Sequence, residues 1–425
     1  MAKQRNLGAG DTEVIADAIG LASNTDRGIP SSNKGANYDA FGRLRVSSPL
    51  TIFDSKQIAD NQPLFFDDAE VSGGGTNSTY NTNQASTTLS VAASTAGVRV
   101  RQTFRRFNYQ PSKSQLVFCT FVFGSGGDGI IKRVGYFDDD NGVFLEQNAG
   151  QHYFVIRSNV TGSPVDTKVS LNEANLNAEF YKDLDFTKTQ ILIMDMEWLG
   201  VGSVRFGFVV DGIIYYLHSF NHANNLNTVY MSTPNLPIRC EIRNDGTGGA
   251  NNLTMICCSV NSEGGVSETG LTRTISRGSA AFVASSNNVW YPLISLRLKS
   301  AYKGITIYPV LLSEVPDSAS IYEVALFLNP TIGGIDGVSW VNLTNSAVQY
   351  DISRDNTNTL TNGTNIFSAV KEVTNQGANI AVPVGNLLTI GTAIDGTPDE
   401  MVFAFRKLSG GATNVYANMT WYELG

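Results

Sequence analysis

From about residue 64 onward, short apolar runs alternate with clusters of Gly, Asn and Asp, and that rhythm sets the expectation for the fold. The runs include SQLVFCTFVFG (114–124), HYFVIRSNV (152–160), TQILIMDMEWLG (189–200), GSVRFGFVVDGIIYYLHSF (202–220), IRCEIRND (238–245) and LTMICCSV (253–260). β-Branched and aromatic residues bounded by turn formers predict strands, and many short strands at this spacing predict a sandwich or barrel. Within VVDGIIYY, Asp211-Gly212 predicts a tight hairpin, because both turn residues must take φ > 0. The one helix predicted spans 170–184, where Ser170 followed by Glu173 reads as a capping box.

The Gly- and Ser-rich stretch NSEGGVSETGLTRTISRGSAAF (261–282) reads as a boundary. Beyond it, NNVWYPLISLRLKS (287–300), GITIYPVLLSEV (304–315), IYEVALFLNP (321–330), MVFAFRKLS (401–409) and VYANMTWYEL (415–424) predict a second set of strands. Residues 1–45 carry one short apolar patch, EVIADAIGLA (13–22), and cannot bury much of themselves. The expected organisation is all-β: an arm and docking segment (1–60), a jelly-roll-like sandwich (61–265) and a C-terminal β-sandwich (266–425). In the docking segment, Phe41, Arg43, Leu44, Arg45, Leu50, Ile52 and Phe53 are the candidate assembly residues, the aliphatic ones in an extended pattern broken by Pro49.

Composition narrows the function classes. At 425 residues the chain exceeds what one core serves, so two or three domains are expected. Charged residues are 16%, against about a quarter in ordinary domains, so uncharged Asn, Thr and Ser must supply the polar surface. A net charge of -8 argues against nucleic acid as a partner, since phosphate binding needs clustered cations. The local exception, RVRQTFRRFNYQP (99–111), reads as a strand with a cationic outward face. Cys119, Cys240, Cys257 and Cys258 lack CxxC spacing, which predicts free thiols and a reducing compartment. No apolar run is long enough for a membrane span, and a soluble chain made in the cytosol is expected.

Candidate chemistry is sparse. In VGYFDDDNGVFLE, the acids Asp138, Asp140 and Glu146 echo part of a calcium loop, but the flanks are strands, so a hairpin connection is the expected role and structural calcium the alternative. Asp195 and Glu197, two apart, would share one face of a strand, with Ile193, Met194 and Met196 on the buried side. Paired carboxylates of that kind serve glycoside hydrolysis. His152, His218 and His222 are the three histidines and complete no metal set. No nucleophile elbow or phosphate loop is present, so no catalytic residue, cofactor or metal is assigned. Tyr136, Tyr153, Trp198 and Tyr215 are candidate sugar-stacking aromatics.

Read in order, YDAFGRLRVSSPLTIFDSKQ (38–57), VGYFDDDNGVFLEQ (134–147), HYFVIRSNV (152–160) and WLGVGSVRFGFVVDGIIYYLHSFNHAN (198–224) resemble virion structural proteins of tailed bacteriophages. Separately, VRFGFVVDGIIYYLHSF (204–220) is similar to the strand, turn and strand of concanavalin-like or laminin-G-like sandwiches. The first resemblance implies a non-enzymatic tail, collar, fibre or head-decoration component, located in the virion after assembly in the host cytoplasm. Its expected partners are further copies of itself and other virion proteins. The second implies, as the alternative, adhesion to a host-surface glycan, with hydrolysis of a glycan as a third reading.

Overall fold

The computed structural model describes residues 49–171, 184–265, 270–334, 339–373, 382–383 and 389–425. Among them there is no α-helix, and the helical geometry present is one 3-10 turn at Ser300–Tyr302. No helix among them is long and apolar enough to cross a membrane. The expected helix lies almost wholly outside the described residues, as do Phe41, Arg43, Leu44, Arg45 and the rest of the arm through residue 48.

Residues from Leu50 to Glu263 build two antiparallel sheets. The eight-stranded sheet runs Ile213–Phe220, Val204–Val210, Gln190–Met196, Ser114–Val122, Asn251–Glu263, Ser86–Val91, Thr76–Asn81, and Leu50–Ser55 shares the far side of the long strand Asn251–Glu263 with Ser86–Val91. The seven-stranded sheet runs Val165–Ser170, Gln151–Ser158, Gly142–Asn148, Ile130–Phe137, Ile238–Asn244, Gly97–Thr103, Phe66–Gly73. Alternation gives each strand one apolar side, and these sides meet in a shared core through Cys119, Phe121, Met194, Phe206, Leu145 and Ile238. The predicted hairpin is present: Asp211 (φ 52°) and Gly212 (φ 76°) join Val210 to its partner Ile213.

Residues from Leu271 to Leu424 build a second pair. A five-stranded sheet runs Leu271–Ser276, Thr413–Leu424, Thr306–Pro316, Val382–Pro383, with Phe282–Ala284 also on Thr413–Leu424. It faces a six-stranded sheet ordered Val341–Asn342, Val348–Asp351, Trp290–Leu298, Glu400–Ser409, Ser320–Leu328, Thr364–Val373. Trp421, Phe403 and Phe405 are fully buried in this core, and truncating any one to Ala costs about 3–5 kcal/mol.

Several expectations are corrected here. Leu50–Ser55 is a strand of the first sandwich, and Ile52 and Phe53 pack on its core, Phe53 against Phe65, Phe66 and Phe107, while Leu50 is 46% exposed. The Gly- and Ser-rich boundary stretch contains the end of the strand Asn251–Glu263 and all of Leu271–Ser276. The basic segment does not present a cationic outer face. Arg101 opposes Cys240 and turns inward, ion-paired to Asp68 (3.3 Å) and lying over the Phe66 ring (4.4 Å). Arg106 bonds the Thr392 hydroxyl and pairs with Asp138 at 3.3 Å, while its carbonyl accepts from Thr306 at 3.3 Å. These arginines are fastened within and between the sandwiches, where removing one partner of a buried pair is strongly destabilising.

Candidate functional site

The acidic run is a turn. Asp138 accepts backbone hydrogen bonds from Asp140 and Asn141 (2.9 Å each), and its own N–H donates to the Asn141 carbonyl at 2.8 Å. Gly142 is required by space: a Cβ there would sit 2.0 Å from the Phe137 Cβ. Asp139 pairs with Arg239 (2.8 Å), Asp140 accepts from Asn159 (3.1 Å), and Glu146 is buried between Arg133 (2.8 Å) and Lys168 (2.6 Å). Asp138, Asp140 and Glu146 therefore face separate partners and do not converge on a cation. Among the described residues no cluster of three His, Cys, Asp or Glu could hold one.

The acid pair is also not a cleft. The strand ends at Met196, so Glu197 lies just beyond it, its N–H donating to the Ser203 carbonyl and its carbonyl accepting from the Tyr230 hydroxyl, both at 2.9 Å. Ile193 shares the outer face with Asp195 beside Leu116 and Tyr216, whereas Met194 and Met196 enter the core, which corrects the expected division. Asp195 is fully buried, hydrogen-bonded by Ser114 and Arg205 and by the Tyr216 hydroxyl at 3.1 Å. Arg205 stacks on the Tyr216 ring at 4.4 Å, so the carboxylate is enclosed by its own neighbours.

The aromatic candidates scatter. Tyr136 is fully buried, its hydroxyl within bonding distance of the Phe107 (2.9 Å) and Pro234 (3.0 Å) carbonyls, so it cannot be a stacking platform. Trp198 packs on the core and donates its indole N–H to the Met231 carbonyl at 3.1 Å. Tyr153 packs against Phe137, Phe144 and Val155 on the outer side of the seven-stranded sheet, and Tyr215 lies half-buried on Ile213–Phe220. His222 stacks on Tyr230 at 4.2 Å and bonds the Gly202 carbonyl, and His218 packs edge-on to Phe220 at 4.5 Å.

The structure brings other residues together. Lys132, Gln147 and His152 stand directly opposite one another across three adjacent strands, Ile130–Phe137, Gly142–Asn148 and Gln151–Ser158. The last two strands are joined by a tight turn through Ala149 (φ 47°) and Gly150 (φ 82°). At this end of the sheet the inward row is polar, and it walls a cavity of about 400 Å³ lined by Ser125, Gln147, Gln151, His152, Asp185 and Thr187, with Gly124, Gly126, Gly150, Leu184 and Phe186. Phe186 stacks on the His152 ring at 3.9 Å, with Phe123 behind at 6.2 Å.

A connected set of hydrogen bonds shapes this wall. The buried Lys132 ammonium donates to the Phe123 carbonyl and to the Ser125 carbonyl at 2.9 Å, bracketing Gly124. The Gly124 N–H donates to the Phe186 carbonyl (2.9 Å), and its own carbonyl accepts from Gln147 Nε2 at 3.3 Å. Gln147 Nε2 also lies 3.1 Å from His152 Nε2. Burial, and second the charge of Lys132, hold the His152 pKa down at about 4. The ring is neutral near pH 7 and its Nε2 can accept. Burial likewise lowers the Lys132 pKa to about 8. Gln147 is 2% exposed, and its Oε1 has no hydrogen-bond donor. A buried acceptor left without a donor is destabilising.

Sequence reasoning singled out His152 but passed over Lys132, Gln147 and Asp185. The signal available was three polar residues interrupting the inward side of otherwise apolar strands, and it becomes legible once the pairing register is known.

No family model matches the chain, and no curated protein matches it. Among solved structures it is similar to a Bacteroides ovatus mixed-linkage glucan GH16 protein in complex with a product, at 9% identity over 49% of this chain and 99% of that one, TM-score 0.35. It is similar to a legume lectin-like domain from Entamoeba histolytica at 9% identity over 50% of this chain and 98% of that one, TM-score 0.31. A third is a β-1,3-glucanase from Mycobacterium marinum, at 11% identity over 50% of this chain and 100% of that one, TM-score 0.34. None of the three is named as a phage component, so the virion assignment draws no support from them. A likeness of this depth assigns neither ligand nor reaction to the chain.

Proposed function

We propose that this chain is a carbohydrate-recognition protein that binds through the cavity at the end of the first sandwich and cleaves nothing. One observation carries the reading: a concave site of about 400 Å³ whose wall combines hydroxyls, amides and one carboxylate with an aromatic stack, and leaves Gln147 Oε1 without a donor. Small-ligand sites are concave and carry a few convergent polar groups, and hydroxyl-rich ligands can both donate to and accept from such groups. The non-cleaving part rests on Asp195 and Glu197, which stand in another part of the fold, with Asp195 held by Ser114, Arg205 and Tyr216.

The test is titration calorimetry of the full chain against neutral oligosaccharides, alongside an assay for released reducing ends. Wild type is expected to bind and to release nothing, and Gln147→Leu to lose about tenfold or more in affinity, the scale of one good hydrogen bond to a buried group. Absence of binding across the panel, or hydrolysis by wild type that Glu197→Gln abolishes, would sink the proposal.

A further inference from the structure

Resting on that reading, we propose that the cavity selects neutral saccharides and turns away uronates and other anionic sugars, because the described residues of its wall carry a carboxylate and no Lys or Arg.

No Lys or Arg lines the cavity among the described residues. The nearest buried cation, Lys132, has its ammonium directed to the Phe123 and Ser125 carbonyls behind the wall. His152 sits where burial and Lys132 keep it uncharged until about pH 4, so it supplies no positive charge at neutrality. Facing the space instead is Asp185, whose Oδ1 accepts from the Thr187 N–H (3.0 Å) and hydroxyl (2.5 Å). These bonds lower its pKa and keep it ionised. Lys188 reaches Asp185 Oδ2 at 3.5 Å with a side chain 78% exposed, and it is not among the residues that line the cavity.

A bound carboxylate needs two or three N–H donors or a partner cation to replace its water. Here it would meet a second carboxylate, that of Asp185. A neutral sugar reverses the balance, since its hydroxyls can donate to the Asp185 carboxylate while accepting from Ser125 or Gln151. The volume, about 400 Å³, suits one or two rings.

The experiment uses the full chain with cellobiose, lactose and diacetylchitobiose, each paired with a glucuronate-containing disaccharide of the same linkage, and reads Kd by calorimetry. In low salt the neutral member is expected to bind about tenfold tighter, and the gap to shrink in about 1 M NaCl as screening shortens the reach of Asp185. Asp185→Asn, which keeps an acceptor for Thr187, should close the gap by admitting the uronate, with the melting temperature confirming an intact fold. Equal affinity of wild type for both members, or a gap unchanged by salt and by Asp185→Asn, would overturn the selectivity while leaving carbohydrate recognition standing. Failure of every sugar, neutral and charged, would overturn recognition and the selectivity with it.

Discussion

Asp195 and Gln147 are both buried polar residues on strands of the first sandwich, and they have opposite fates. Asp195 stands opposite Arg205 in the register and is enclosed by Ser114, Arg205 and Tyr216, so its charge is consumed by the fold. Gln147 stands opposite Lys132 and His152 at the end of the sheet, where apolar filling stops and a cavity begins, and its Oε1 is left over. Acidity in the sequence is therefore a poor guide to function here. What separates a site from a strut is whether the neighbours satisfy the group.

Substitutions at the two places should behave differently. Asp195→Ala leaves the Arg205 guanidinium, only 12% exposed, without its carboxylate, and should lower stability by about 3–5 kcal/mol in denaturant melts while sugar affinity per folded molecule stays unchanged. Loss of binding in that variant would break the separation of the two sites. Lys132→Met removes the donor to two carbonyls next to Gly124 and should cost about 2 kcal/mol in stability, because buried carbonyls lose their partner. It should also weaken sugar binding, since the Gly124 carbonyl that holds Gln147 is no longer fixed. A destabilised variant with wild-type affinity would show that Lys132 serves the fold alone.

A smaller effect separates the outer face of the seven-stranded sheet from both. Burial raises the Glu241 pKa, but Arg239 and Arg133 overcome it and hold the carboxyl at about 2, against 4.5 ordinarily. A depressed carboxyl contributes stability that is fully present above its unfolded value and lost as pH falls through the folded one. Melting temperature should drop between about pH 4.5 and pH 2, and Glu241→Gln should flatten that limb. The smallest effect expected is from a chelator: with Asp138, Asp140 and Glu146 tied to their own partners, EDTA should leave melting unchanged. A downward shift would restore calcium to the turn.

The alternation of apolar and turn-forming residues was enough to read an all-β chain and the Asp211-Gly212 hairpin, because period-two burial and positive-φ turns are local properties. The acidic turn was legible for the same reason, with Gly142 excluded from any other residue by the Phe137 side chain. Strand ends were less legible: nothing in MDMEW shows that the ladder stops at Met196. The inward turn of Arg101 was hidden as well, since an arginine in an alternating strand gives no sign of the Asp68 that stands opposite it on the neighbouring strand.

The cavity belongs wholly to the second category. Lys132, Gln147 and His152 are separated along the chain by other strand residues, and each alone is an ordinary polar interruption. Antiparallel register sets them side by side, Phe186 closes over the ring of His152, and only then does a polar row wall a cavity. Local periodicity decides which side of a strand is buried, whereas the meeting of side chains from three strands and a distant loop depends on pairing and packing that no single stretch of sequence contains.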